Sequence, residues 1–345
     1  MRAVVYRGVN DLRVETVAVP RIGANELLVK VAACGVCPTD IKKIQYGTVE
    51  PPRIFGHETA GTIVRVGARV REFKVGERVA LHHHVPCLQC HACRHRTFAQ
   101  CAQYKRTGIT AGFEPAGGGY AEYVRVMSFV LPGVVKIPAR NSFLEGAMLE
   151  PVNTVLKGVK QLSLLRNDTV LVAGQGPIGL MFTRLLALQG MRVIATDLLD
   201  TRLKIAREFG AQSQFKPSKV ARASRLRADA AVIAVASDDV VRQAQTLVRG
   251  GGQILLFSHT RRGTETALDL ATICVDEKDL IGSYSADFLL QDEVARLVFS
   301  RKLDVRKLIT HQFPLEQIAA AIGLAARPTA DSLKIVVSSA NTGSL

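Results

Sequence analysis

The chain has 345 residues, enough for about two domains that each bury a full core. Apolar residues make up 48% and charged residues 22%, and no stretch is both long and apolar enough to span a bilayer, so a membrane-embedded helical protein is excluded. Lys and Arg number 45 against 30 acidic residues, a formal charge of +15, yet the basic residues are scattered and no recognition module is legible, so nucleic acid is set aside as the functional ligand.

The N-terminal segment MRAVVYRGVNDLRVETV alternates as a strand does and lacks the apolar run and cleavage site of a signal peptide. A cytoplasmic location is therefore expected. Short, valine-rich runs follow at Leu27 to Ala33, Glu58 to Val66, Arg78 to Leu81 and Tyr120 to Val126, punctuated by Gly56, Gly61, Gly67 and Gly76. This first part reads as an all-β or barrel-like domain.

Four residues in it form one chemical argument. Cys37 follows the turn Gly35-Val36, His57 and Glu58 follow Gly56, and Glu150 sits in Leu149-Glu150-Pro151. A catalytic zinc needs few protein ligands, of mixed softness, so that a position remains for substrate and Lewis acidity survives. Spacing alone does not bring these four together, and Cys37 by itself reads equally well as a buried thiol.

Of seven cysteines, Cys87, Cys90, Cys93 and Cys101 fall close together. In a cytosolic chain disulfides are disfavoured, and four thiolates joined by short turns suit a closed, tetrahedral structural zinc. An iron–sulfur cluster is the alternative on ligands alone. His91 and His95 lie within the loop as bystanders. The run His82 to His84 reads as a strand end, with a metal role as the lesser alternative.

Helical pattern begins near Ala147 and runs through Val152, Leu156 and Val159. The chain then alternates: strand Thr169 to Ala173, helix Ile178 to Gln189, strand Arg192 to Thr196, helix Thr201 to Phe209. Strand Ala230 to Ala234, helix Asp239 to Leu247 and strand Gln253 to Phe257 follow, the mark of a doubly wound parallel sheet. Within it, Gly174-Gln-Gly176-Pro177-Ile178-Gly179 has the G-x-G-x-x-G spacing between a strand and a helix. It predicts a dinucleotide pyrophosphate on the helix N-terminus. Asp197 closes the next strand, where a carboxylate accepts from ribose hydroxyls and repels a 2′-phosphate, so NAD is expected over NADP. Thr196 and Arg202 are the residues that would make some concession to a phosphate. The apolar run Leu333 to Val337 predicts a terminal strand, and the tail SSANTGSL looks loose.

Several segments, in order, resemble one family: Gly35-Val-Cys-Pro-Thr-Asp40, Gly56-His-Glu-Thr-Ala-Gly61, the cysteine cluster, Gly118-Gly-Tyr-Ala-Glu122, Leu149-Glu-Pro151 and the glycine loop. Over almost its whole length the chain resembles the zinc-containing medium-chain dehydrogenases/reductases, nearest by motif to the sorbitol (L-iditol) and L-threonine dehydrogenases. The resemblance implies an α/β chain with a GroES-like β domain, residues 1–155 completed by 291–345, and a Rossmann NAD-binding domain, residues 156–290. It implies two zinc ions per subunit, NAD as cofactor, and a homodimer or homotetramer. Cys37 and His57 match catalytic zinc ligands. Glu150 resembles the position where polyol dehydrogenases place a glutamate ligand, and Glu58 matches the glutamate that binds zinc or sits just behind it. Thr39 matches the hydroxyl that touches the substrate alcohol, and Asp40 the carboxylate that orients the histidine. One departure stands out: relatives often carry a histidine two positions after Asp40, where this chain has Lys42, followed by Lys43.

The activity so implied is hydride transfer from a secondary alcohol, expected to be a polyol or sugar-derived alcohol, to NAD+, giving a ketone. A threonine-type amino alcohol or a phosphorylated polyol is the alternative substrate. A regulatory binding protein on the same scaffold is the non-enzymatic alternative.

Overall fold

The computed structural model describes residues 1–82, 85–107, 117–221, 227–258 and 263–338. His83, His84 and the tail beyond Ser338 lie outside the described residues. The chain divides into two compact units, residues 1–153 with 286–345, and residues 154–285. Among the described residues, no helix is long and apolar enough to cross a membrane.

In the first unit, β1 (Arg2–Gly8) and β2 (Asp11–Thr16) form a two-stranded antiparallel sheet. The N-terminal segment, read from its alternation as one strand, is thus a hairpin. Asn10 takes φ 56°, a left-handed turn conformation that an asparagine side chain tolerates, and the alternation continues on either side of it. Next come β3 (Leu27–Gly35), β4 (Glu58–Val66), β5 (Arg78–Leu81), β6 (Tyr123–Val126) and β7 (Val134–Lys136). The strand expected from Tyr120 starts only at Tyr123. Residues Tyr120 and Ala121 are instead tied to the first strand, through the Val4 N–H to the Tyr120 carbonyl (2.8 Å) and an isolated bridge between Ala3 and Ala121.

The second unit holds β8 (Thr169–Ala173), β9 (Arg192–Thr196), β10 (Ser213–Phe215), β11 (Ala228–Ile233), β12 (Val248–Leu256) and β13 (Asp279–Gly282). All pairs are parallel, in the order β10-β9-β8-β11-β12-β13, a doubly wound sheet whose strand order reverses between β8 and β11. β8, β9 and β11 are buried almost throughout because helices cover both faces, which is why they read as continuous apolar runs. β12 begins at Val248, earlier than the expected Gln253. Its glycine-rich start is absorbed by a register break opposite Ala228 and Ala230.

The chain then returns to the first unit with β14 (Ile309–Phe313) and β15 (Lys334–Ser338). The completed sheet runs β14-β15-β3-β4-β5-β7, with β6 also on β3. Two registers set the geometry around Gly35. Glu58 faces it across β3 and β4, and Val336 faces it across β15 and β3. Tyr6, Phe55, Tyr120, Leu27 and Ile63 fill the core beside this crossing, with the Tyr6 and Phe55 rings edge to face at 5.4 Å.

Candidate active site

Cys37 is where β3 ends and a helix begins. It caps the helix Pro38–Tyr46 in an extended conformation (φ −104°, ψ 138°), and its Sγ accepts the Thr39 N–H at 3.4 Å. Pro38 at the first helical position and Asp40 in the first turn explain why the helix starts here. Cys34 is the contrast. It is fully buried, bonded to the Thr59 hydroxyl at 3.5 Å, and burial pushes its thiol up to about 12.

His57 and Glu58 lead into β4. The His57 Nδ1 lies 3.1 Å from Asp40 Oδ1, and both residues are buried. The other Asp40 oxygen accepts from the Tyr120 hydroxyl at 3.4 Å. Burial works against a charged imidazole, but Asp40 and Cys37 outweigh it and raise the His57 pKa well above its ordinary value. Asp40, although buried, is held below the ordinary carboxylate range by His57 and Lys43.

Sulfur, ring nitrogen and carboxylate oxygen of Cys37, His57 and Glu58 all lie within 4.8 Å of one another. This trio is brought together by the β3–β4 register, which sets Glu58 opposite Gly35, two residues before Cys37. Glu150, in the helix Leu149–Lys160, is buried but outside that trio. It is near enough for its charge to help raise the Glu58 pKa, where burial is the larger cause. Thr39 is half-buried on the first turn of its helix.

Two contributors to this cluster were given no role in the sequence reading, although Tyr120 stands within one of the quoted motifs. Lys334 donates from Nζ to Glu58 Oε1 at 2.6 Å and to the Val36 carbonyl at 3.0 Å. Tyr120 supports Asp40 from behind. The only sequence signal for Lys334 is a lone charge at the head of an apolar run, a residue type that is rarely buried unless paired.

The four clustered cysteines meet in a separate lobe. Cys87 Sγ is 3.9 Å and Cys90 Sγ 3.5 Å from Cys93 Sγ, too far apart for disulfides. A tetrahedron of thiolates around zinc has edges of about 3.8 Å, given Zn–S bonds of about 2.3 Å, so these spacings fit the ion. Backbone N–H groups of Gln89 and Cys90 pull the Cys87 thiol down to about 6. The His91 and His95 rings lie tilted at 54° with centroids 4.5 Å apart, and neither is in the four-cysteine group.

In the second unit, Gly176 caps the helix Pro177–Leu188, and Ile178 lies in its first turn. Gly174 turns at φ 89°, and a Cβ at Gly179 would lie 1.7 Å from the Gly174 carbonyl oxygen, so both positions require glycine. A Cβ on Gly176 would meet nothing within 4 Å, the clearance a pyrophosphate against the backbone needs. Asp197 secures this loop: Oδ2 accepts the Gln175 N–H at 2.7 Å and Oδ1 the Leu199 N–H at 2.9 Å. The Arg202 guanidinium stands 3.9 Å from Asp197 Oδ2.

Comparison with known proteins agrees with this architecture. Residues 23–139 match the alcohol dehydrogenase GroES-like domain, and residues 177–300 match the zinc-binding dehydrogenase domain. Sorbitol dehydrogenase of Bacillus subtilis (strain 168) is 30% identical, with 98% of this chain and 97% of that protein covered. Among solved structures, an alcohol dehydrogenase of Escherichia coli CFT073 in complex with NADH superposes with TM-score 0.87 at 26% identity, covering 98% and 99% of the two chains. A Sinorhizobium meliloti 1021 protein described as a zinc-binding dehydrogenase and bound to NADP gives TM-score 0.88 at 26% identity, covering 98% and 99%. The fold and the paired metal and dinucleotide features define a nicotinamide-linked, zinc-dependent oxidoreductase. The chain belongs to the zinc-binding medium-chain alcohol and polyol dehydrogenase family.

Proposed function

We propose that this enzyme oxidises a secondary alcohol carrying further hydroxyls, a polyol or sugar-derived alcohol, to the ketone, with NAD+ as acceptor. The observation that carries the reading is the meeting of Cys37, His57 and Glu58 within one buried corner. One thiolate, one imidazole and one carboxylate are a donor set suited to a zinc that remains a Lewis acid. When bound, zinc polarises the substrate oxygen and the nicotinamide provides the hydride acceptor. The net change removes a hydride from the carbinol carbon and a proton from its hydroxyl.

The chain's own residues do the rest. With Nδ1 donated to Asp40, His57 presents Nε2 as its ligand atom. The Thr39 hydroxyl, in the first turn after Cys37, takes the role of passing on the substrate proton. Gly174, Gly176, Pro177, Ile178 and Gly179 seat the pyrophosphate. Asp197 favours NAD over NADP, since its buried charge opposes a 2′-phosphate; Arg202 is the residue beside it that would bear on this choice. Cys87, Cys90, Cys93 and Cys101 hold the second zinc, which has a structural role.

A carboxylate in the reactive shell, an aromatic content of only 6%, and the likeness to sorbitol dehydrogenase all favour a hydroxyl-rich substrate. The test is a panel of polyols, monohydric secondary alcohols, amino alcohols and sugar phosphates assayed on zinc-replete enzyme and ranked by kcat/KM. A monohydric alcohol outranking every polyol and phosphate would defeat the reading. A phosphorylated polyol is the second reading, favoured by half-buried Lys42, whose ammonium lies within electrostatic reach of Cys37. In that case replacing Lys42 and Lys43 raises KM for phosphorylated substrates alone.

We also infer a homodimer or homotetramer in the cytoplasm. β13 ends the six-stranded sheet, and Leu270 and Val275 in the helix before it are 72% and 80% exposed. A second copy adding its own β13 would cover that edge. Sedimentation showing only monomer would overturn this.

A further inference from the structure

Lys334 is a buried ammonium, 5% exposed, at the head of β15. On one side it is anchored to the Val36 carbonyl (3.0 Å), in the segment that carries Cys37. On the other it grips Glu58, with Oε1 at 2.6 Å and Oε2 at 2.5 Å. Room for this pair exists only because residue 35 is glycine: a Cβ there would lie 1.8 Å from Glu58 Oε2 and 2.9 Å from Lys334 Cε. Its neighbours Leu333, Ile335, Val336 and Val337 are all buried and apolar, so a charge at this position is costly unless it is paired.

Two claimants therefore meet at one carboxylate. Glu58 is bonded to Lys334, and it also lies within 4.8 Å of the Cys37 and His57 donor atoms. We propose that Lys334 is a positioning residue of the metal centre, a fixed counter-charge that competes with the ion for Glu58. This rests on the reading that Cys37, His57 and Glu58 hold the reactive zinc. The thiolate and the carboxylate together carry two negative charges, enough to cancel a dication. One ammonium bonded to the carboxylate offsets one of these charges, so more of the ion's charge is left to act on the substrate oxygen. The same ammonium keeps Glu58 from being drawn wholly onto the ion.

The direction of the effect is set by charge. Without Lys334, the buried Glu58 carboxylate has lost its partner, a costly state that binding a cation relieves. Holoenzyme is challenged with a strong chelator, and zinc per chain is followed by elemental analysis for wild type, Lys334→Met and Lys334→Arg. Loss of the reactive zinc should slow by about 10- to 100-fold in Lys334→Met, the scale on which outer partners tune metal sites, with kcat falling more than KM. Lys334→Arg should behave as wild type. In a Glu58→Gln background, Lys334→Met should change zinc loss by less than about twofold, because no charge remains to be shared. A neutral residue at 58 needs no counter-charge, so this pair keeps the proposal testable if the single variant fails to fold. Zinc loss from Lys334→Met as fast as or faster than wild type would overturn the proposal, as would an equal change in the Glu58→Gln background. Cys37→Ser separates the two levels. It should lower zinc from two ions to one, and retention of both would show that the ligand assignment itself is wrong.

Discussion

Replacing Gly35 by alanine adds one methyl group at the crossing of β3, β4 and β15. No left-handed backbone is involved at this residue, so the whole effect comes from collision. The new Cβ would lie 1.8 Å from Glu58 Oε2 and 3.0 Å from Glu58 Cδ. Non-bonded atoms rest near 3.5 Å, so the carboxylate must retreat by roughly 1.7 Å. That movement breaks the 2.6 Å bond to Lys334 unless the ammonium moves with the carboxylate. Overpacking a tight interior costs about 1–3 kcal/mol, and stranding a buried charge about 3–5 kcal/mol. The side chains relax along the cheaper route, giving about 2–3 kcal/mol, or about 5–10 °C in the melting temperature of a unit this size. Scanning calorimetry of wild type and Gly35→Ala reads this directly. Adding Glu58→Ala removes the nearest obstacle and leaves only the 2.9 Å approach to Lys334 Cε, so in that background Gly35→Ala should cost clearly less than in the wild type. A melting temperature within about 1 °C of wild type in the single variant would refute the steric argument.

Asp197→Ser removes the charge opposing a 2′-phosphate and releases Arg202, so the kcat/KM ratio for NADP over NAD should rise at least about tenfold; an unchanged ratio would assign cofactor choice elsewhere. Asp40→Asn keeps the shape but not the charge that fixes His57, and zinc affinity measured by chelator competition should fall about 10- to 100-fold. Unaltered affinity would mean that the 3.1 Å contact does not hold the ring for metal binding. Glu145 caps its helix through Ser142 and accepts from Asn141 and Arg301. Burial pushes its pKa up, but Arg301, the Ser142 N–H and Asn141 outweigh that and hold it below its ordinary value. Its folded pKa being depressed, its stabilisation is present at neutral pH and is lost as pH falls through the folded value. Glu145→Gln should melt below wild type at neutral pH, and the gap should close between about pH 5 and pH 3. A gap independent of pH would refute the assignment.

The residues that act within one local element were legible in the sequence. Gly174 to Gly179 announce a strand–turn–helix because each glycine answers a short-range demand, a left-handed turn at 174 and a carbonyl in the way at 179. Cys87 to Cys101 lie close enough in the chain for short turns to gather them. Cys37 and Asp40 belong to one helix start, but it was the family resemblance, not capping or spacing, that singled them out in the sequence. The tertiary structure decided what depends on strand register. That Glu58 comes within 4.8 Å of Cys37 and His57 turns on which residue of β4 faces Gly35, and a slip of one residue would send Glu58 to the opposite face. The alternation of the N-terminal segment did not show where it folds back, because a period of two runs on unchanged through a tight turn. Lys334 is the furthest case. Nothing near it in the chain distinguishes it from a solvated lysine, and its role emerges only when β15 returns to pair with β3 and lays its side chain against Val36 and Glu58. Local sequence specifies turns, caps and the ligands within one loop. Pairing between strands about 300 residues apart is chosen by the packing of the whole sheet, and that choice is what assembles the reactive corner.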